Sequence, residues 1–251
     1  MNMTWDAKEY REKFRFVHEY GNDVINLLDI RKGMTVLDLG CGDGALSQKL
    51  NDLGTRVIGI DASPELLSVA KKQYPEIVFY EKDATNFQLD EKVDAVFSNA
   101  VLHWIDGNHQ SDVLRCVHAV LKQGGQFVFE FGGHGNNRLI HEALRDAFER
   151  RGYEYKVPFY FPTIGEYIPL LETAGFQVRD AILFDRMTEL KGHDGLTTWI
   201  EMFIKEPFKN VPMVEKQEIV KEAVDQLQTI LCYENKWYAD YVRLRCKAIK
   251  L

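Results

Sequence analysis

Apolar positions along the first half of the chain follow two alternating rhythms. Residues 34–39, 56–60, 77–80, 93–97 and 126–131 are short runs rich in β-branched and apolar side chains, the length and composition of buried strands. Between them the apolar spacing turns helical. Ala45, Leu46, Leu50 and Leu53 lie on one face and are closed by Gly54. Ser63 and Pro64 supply an N-cap and a first-turn proline ahead of Leu66, Leu67, Val69 and Ala70. Val113, Leu114, Val117, Val120 and Leu121 mark a further helix, for which Gly124 and Gly125 are the expected stop. Before the first strand, residues 10–28 carry Phe14, Val17, Val24, Ile25 and Leu28 on one side, which predicts an N-terminal helix, or pair of helices, packed over a sheet. Strands alternating with helices predict βαβ units, a mostly parallel sheet and helices on both faces.

After residue 131 the rhythm changes. Residues 132–135 are a glycine-rich loop, followed by a helix through Leu144 and Phe148 and an aromatic-rich stretch at 153–161. Thr163 and Glu166 have the spacing of a capping box, opening a helix that ends at Gly175. Residues 177–184 read as a strand, 192–205 and 214–231 as helices, and 236–250 as a strand returning to the sheet. Insertions near 134–160 and 186–235 are therefore expected to roof whatever site the sheet carries.

Composition narrows the class. The chain has 251 residues, 45% of them hydrophobic, enough for one large α/β domain with a full core. A net charge of −7, from 38 acidic and 31 basic residues, disfavours a nucleic-acid binder that relies on bulk charge. The four cysteines (Cys41, Cys116, Cys232, Cys246) form no CxxC pair, and His18, His109, His118 and His141 share no ligand spacing, so no metal is expected. No stretch is long and apolar enough to span a bilayer, and the charged first residues are unlike a signal peptide. A soluble, cytoplasmic protein, monomer or homodimer, is expected.

In an open α/β sheet, ligands bind beyond the carboxyl ends of the strands. The loop after the first strand reads Asp38-Leu-Gly40-Cys41-Gly42-Asp43-Gly44-Ala45. Gly40, Gly42 and Ala45 also satisfy a dinucleotide fingerprint, and Asp61, 21 residues after Gly40, is placed to take ribose hydroxyls. An NAD-dependent oxidoreductase, or a non-catalytic nucleotide-binding module, is therefore an alternative reading of the same fold. Charge separates them. Carboxylates at 38 and 43 would repel a pyrophosphate by about 3–4 kcal/mol per charge pair at 4–6 Å and an effective dielectric near 20. They suit a ligand with ammonium or sulfonium charge. After the third strand, Asp83 and Ala84 are placed to meet an adenine amine and ring nitrogen, although Asp83 would serve equally to cap a turn. The fourth strand ends in Asn99, followed by His103 and Trp104.

At these residues the chain resembles the class I S-adenosylmethionine-dependent methyltransferases. The segments that carry the likeness are 36–44, 59–61, 83–84 and 98–104. Residues 102–104, 131–133 and 160–167 resemble, more loosely, the trans-aconitate methyltransferase-like subgroup. The resemblance implies a Rossmann-like seven-stranded sheet, its last strand antiparallel, and S-adenosylmethionine as cofactor with S-adenosylhomocysteine as product. It implies a single domain: a helical lid at 1–30, a cofactor-binding core at 31–131 and a substrate-side half at 132–251. The expected cofactor shell is Tyr20, Asp38, Gly40, Cys41, Gly42, Asp61, Ala62, Asp83, Ala84 and Asn99. Asp61 would bind the ribose, Asp83 and Ala84 the adenine, and Gly40 with the Asn99 carbonyl the methionine end. The expected partner is a small-molecule acceptor, methylated on a carboxylate or hydroxyl oxygen, with no nucleic acid or membrane involved. His103, Trp104, Tyr160, Tyr167 and Trp199 are the candidates for its pocket. His103 is the candidate base, needed only if the acceptor must lose a proton. Arg138, Arg145 and Arg186 are available for an anionic acceptor, and the sequence alone does not show them converging.

Overall fold

The first strand, β1 (Thr35–Leu39), is buried at every residue, and its neighbours explain why. A computed structural model describes residues 16–251, with side chains from Tyr20 onward. In it β1 pairs in parallel with β2 (Arg56–Asp61) on one side and β4 (Val93–Asn99) on the other. β3 (Val78–Glu81) extends the sheet beyond β2, and β5 (Leu121–Gly132) lies beyond β4, all parallel. β8 (Lys236–Lys250) runs antiparallel between β5 and β6 (Phe176–Leu190). The order is β3-β2-β1-β4-β5-β8-β6, with the two-residue β7 (Cys232–Tyr233) hairpinned onto β8 as an eighth strand. Glu234 and Asn235 both have positive φ (52° and 62°), the geometry of a type I′ hairpin turn. Seven strands were expected; the short hairpin accounts for the difference.

Alternate residues of the central strands feed opposite faces. Val36, Val57, Ala95, Phe97 and Val128 enter a core covered by α1 (Phe16–Ile25), α2 (Ala45–Asp52) and α3 (Pro64–Gln73). Leu37, Ile58, Val96, Phe127 and Phe129 enter the other, under α4 (Gln110–Val120) and α6 (Ile164–Thr173). Burial on both faces is what lets parallel strands read as continuous apolar runs. Ser63 caps α3 by accepting from the Leu66 N–H at 3.2 Å, with Pro64 as first residue. Thr163 and Glu166 form the capping box that opens α6.

Two expectations need revision, and part of a third falls outside the description. The fourth-strand helix ends at Val120, and the chain passes straight into β5; Gly124 and Gly125 sit in that strand, where its register against β4 shifts. β6 runs past residue 184 to Leu190, zipped to β8 along its length, so the second insertion starts after 190 rather than at 186. The residues at 1–15 of the expected lid lie outside the described residues. The two insertions share a third core: Leu144 and Phe148 of α5 (Arg138–Glu149) pack with Trp199 and Ile200 of α7 (Gly195–Phe203) and Ala223 and Leu227 of α8 (Met213–Leu231).

Candidate active site

Strand order reverses at β1 and β4, and the glycine turn sits at that point. Gly40, Gly42 and Gly44 have φ of 75°, 55° and 82°, a conformation that L side chains rarely adopt. The Gly40 and Cys41 N–H groups both donate to the Ile60 carbonyl, at 2.8 and 3.0 Å. A Cβ at Gly40 would lie 2.2 Å from the Val101 side chain, whereas above Gly42 the nearest such contact is 4.0 Å away. The turn is thus closed on the protein side and open over Gly42.

Carboxylates surround it. Asp61 accepts from the Gly42 N–H at 2.9 Å and the Ser63 N–H at 2.8 Å, so it organises the turn as well as lying beside it. Asp38 is buried and accepts from the Ser47 hydroxyl at 2.6 Å. Burial, reinforced by Asp61 and Asp43, pushes the Asp38 carboxyl up to about 7. Burial also raises Asp61. Asp83 accepts from the Thr85 hydroxyl (2.7 Å) and N–H (2.8 Å), contacts that hold it below the usual carboxylate range. It caps its own turn, the plainer of its two readings. Cys41 is buried, and Ala84 packs on the core beneath the sheet's second face.

A cavity of about 620 Å³ opens where β4 and β5 end. Tyr20, Asn99, His103, Trp104 and Trp199 line it, joined by residues that sequence reasoning missed: Glu130, Asn136, Asn137, Phe159, Phe161, Phe203, Tyr241 and Arg243. Its apolar wall is built from ring contacts. Trp104 meets Phe159 edge-on at 4.8 Å, Phe159 stacks on Phe161 at 5.3 Å, and Trp199 lies 5.3 Å from Phe203. The Trp199 indole N–H donates to the Tyr241 hydroxyl at 2.8 Å.

Two pocket candidates fall elsewhere. Tyr167 is fully buried against Phe129 and Phe131, and its hydroxyl donates to Gln110 Oε1 at 3.1 Å. Gln110 in turn donates to the Leu102 and Ile105 carbonyls, both at 2.9 Å. Tyr167 therefore braces the 102–104 turn from behind. Tyr160 donates its N–H to the His103 carbonyl at 3.0 Å and packs on that same core, outside the cavity lining. Of the arginines, Arg138 pairs with Glu142 at the surface, and Arg145 is outside the lining, its charge felt by His141. Arg186 does line the cavity. His134 is exposed.

Arg186 converges with two arginines of β8 on one buried carboxylate. Its Nη1 and Nη2 donate to Glu130 Oε1 and Oε2 at 2.6 and 3.1 Å. Arg243 Nε donates to Oε1 at 3.3 Å and Arg245 Nε to Oε2 at 2.8 Å. Burial alone would raise Glu130, but Arg243, Arg186 and Arg245 outweigh it and hold the carboxyl below its ordinary range. Arg186 also lies 4.4 Å over the Tyr20 ring, tying α1 to the cavity. A charged residue inside the run Phe127-Val-Phe-Glu130-Phe131 was the available signal for this cluster.

His103 is buried, and its Nδ1 accepts from the Gly132 N–H at 3.3 Å. A neutral ring with Nδ1 so occupied carries its proton on Nε2. Burial and the Arg243 charge keep it well below 6.5, hence neutral at neutral pH. It presents an N–H, which is the opposite of the base expected from its position.

Residues 37–129 match the family described as "Methyltransferase domain". An uncharacterized methyltransferase of Schizosaccharomyces pombe is 31% identical over 98% of both chains. The trans-aconitate 2-methyltransferase of an Enterobacter species is 28% identical over 66% of this chain and 65% of its own. Magnesium protoporphyrin IX methyltransferase of Synechocystis, solved with S-adenosylhomocysteine bound, has a TM-score of 0.57 across 94% of this chain and 82% of that one. At 16% identity, that last likeness concerns the fold. Among the described residues no helix is long and apolar enough to cross a membrane.

Proposed function

Since the chain belongs to the class I S-adenosylmethionine-dependent methyltransferases, we propose that it methylates a small molecule held in the cavity at the ends of β4 and β5. The observation that carries this reading is the cavity itself: about 620 Å³, walled by Trp104, Phe159, Phe161, Trp199 and Phe203. Sites for small ligands are concave and have this mostly apolar lining with a few polar groups.

The residues around the glycine turn fit the cofactor. Asp38, Asp43 and Asp61 lie close enough that Asp61 and Asp43 both raise Asp38. A cationic, phosphate-free nucleoside relieves that repulsion, whereas a pyrophosphate would add to it. The open space over Gly42 admits its backbone-facing edge. Asp61 would hold the ribose, Asp83 and Ala84 the adenine, Gly40 and the Asn99 carbonyl the methionine end, with Asp38, Cys41, Gly42 and Ala62 completing the shell and Tyr20 closing it. S-Adenosylmethionine supplies a methyl group on a positively charged sulfur, a good leaving group for in-line displacement. The protein's share is to bind, align and exclude water.

Incubation with tritiated-methyl S-adenosylmethionine and a metabolite extract should label a small molecule. Transfer only to protein or nucleic acid would overturn the small-molecule reading. In calorimetry, Asp61→Ala and Asp83→Ala should each weaken cofactor binding about tenfold or more, ~1.4 kcal/mol. Unchanged affinity in both would move the cofactor away from this turn.

A further inference from the structure

Glu130 has about four acceptor positions on its two oxygens. Arg186 takes two of them, Arg243 Nε one and Arg245 Nε one. The carboxylate is saturated, and three guanidiniums around one carboxylate leave a buried excess of positive charge. Arg186 and Arg245 spend their forks on Glu130 and lie against aromatic rings, Arg186 between Tyr20 and Phe184 and Arg245 over Phe184. Arg243 differs. It is only 6% exposed, it lines the cavity, and among the described residues its one hydrogen bond is the 3.3 Å contact through Nε. Among the described residues its Nη donors meet no hydrogen-bond acceptor. Asn137, 2% exposed and held at φ 55°, also lines the cavity with its Oδ1 unmatched, an acceptor that calls for a donor rather than for an anion.

Among the described residues of the lining, none stands ready to take a proton. Glu130 is saturated, His103 carries its proton on Nε2, and burial lifts the Tyr241 hydroxyl to about 12. An alcohol would have nowhere to send its proton; an acid that enters ionised has none to lose.

We propose that Arg243 is the anion anchor of the acceptor site, and that the acceptor is a slender apolar acid with a single carboxylate, which itself takes the methyl group. This rests on the methyl-transfer reading above. One carboxylate oxygen accepts from the Arg243 Nη donors, and the apolar body lies among Trp104, Phe159, Phe161 and Trp199. The other oxygen forms the new O–CH₃ bond while the C–S bond breaks and its electron pair stays on sulfur. The products are a neutral methyl ester and a neutral thioether, with no proton transferred. A tricarboxylate would find one unspent guanidinium here and leave two anions unmatched.

The test uses the full chain saturated with S-adenosylhomocysteine. Calorimetric titration with benzoate, trans-cinnamate and octanoate is compared with their neutral amides. At least one acid should bind, at least tenfold tighter than its amide. Arg243→Met should abolish that preference and Arg243→Lys should keep part of it, with S-adenosylhomocysteine affinity unchanged in both. Equal binding of acid and amide, or no binding of any acid, overturns the proposal even if the variants fail to fold. The labelled product from the metabolite extract provides an independent readout. An ester releases its label as methanol in mild alkali. Label retained in an ether or amine refutes the carboxylate acceptor and leaves methyl transfer standing; no labelled small molecule at all refutes the reading beneath it.

Discussion

Asp38 gives cofactor binding a pH dependence that can be worked out in advance. Its carboxyl is buried, and burial with two acidic neighbours places its pKa at about 7 in the empty protein. About a tenth of it is then ionised at pH 6 and about three-quarters at pH 7.5. If the cationic cofactor needs the ionised form, affinity should rise about eightfold between those values, ~1.2 kcal/mol. The sulfonium stays charged throughout, and the amino group stays largely so. Stability shifts in the opposite sense without ligand. Between about pH 4 and 7 the folded chain keeps a proton that the unfolded chain, at the ordinary aspartate value of 3.8, has already released. The stability of the empty protein therefore falls across that window as pH rises, and the increment from bound cofactor grows. Calorimetry at pH 6.0 and 7.5 reads the first effect and thermal melts with and without S-adenosylhomocysteine the second. Asp38→Asn, which keeps an oxygen for Ser47, should bind weakly and with a flat profile. A flat wild-type profile, or the same slope in Asp38→Asn, would refute the reasoning.

Three further outcomes follow from the packing. Glu130→Gln removes the carboxylate that three arginines share and should cost about 3–5 kcal/mol in chemical denaturation; a loss below 1 kcal/mol would show that the cluster is not coupled. Tyr167→Phe leaves Gln110 Oε1 without its donor and should cost about 1–3 kcal/mol, with weaker acceptor binding through the 102–104 turn; an unchanged melting temperature would dismiss the brace. Gly40→Ala sets a Cβ 2.2 Å from Val101 at φ 75°, so the soluble fraction and cofactor affinity should both drop, and Val101→Ala should restore part of each.

What the sequence made legible was local. The strand runs, the Ser63 cap, the Thr163 capping box and the Asp38–Gly44 turn each arise within a few residues, where periodicity and capping chemistry act. The glycines at 124 and 125 misled because a glycine pair marks a helix stop and a strand irregularity alike. Helical spacing could not separate Tyr167, which braces the core, from Trp199, which faces the cavity; both are large aromatics on amphipathic helices. The anion cluster was out of reach for another reason. Glu130 meets Arg186 across 56 residues and Arg243 across 113, and only the antiparallel insertion of β8 brings them together. Arg243 itself sits in a strand whose register nothing local specifies.

That insertion sets an order of events in synthesis. Among the described residues β6 pairs in the sheet with β8 alone, and the segment from Lys191 to Asn235 must be translated between them. At about 5–20 residues per second, β6 waits several seconds with its edge and its apolar positions unpaired. The cofactor turn, built from β1, β2 and β4, has all its strands by Asn99 and faces no such delay. The two halves of the site thus differ in exposure to misassembly. Newly made chains that bind nucleoside before they acquire an acceptor pocket, and that engage folding helpers through β6, are the expected trace of a strand order in which a late strand lies inside an earlier pair.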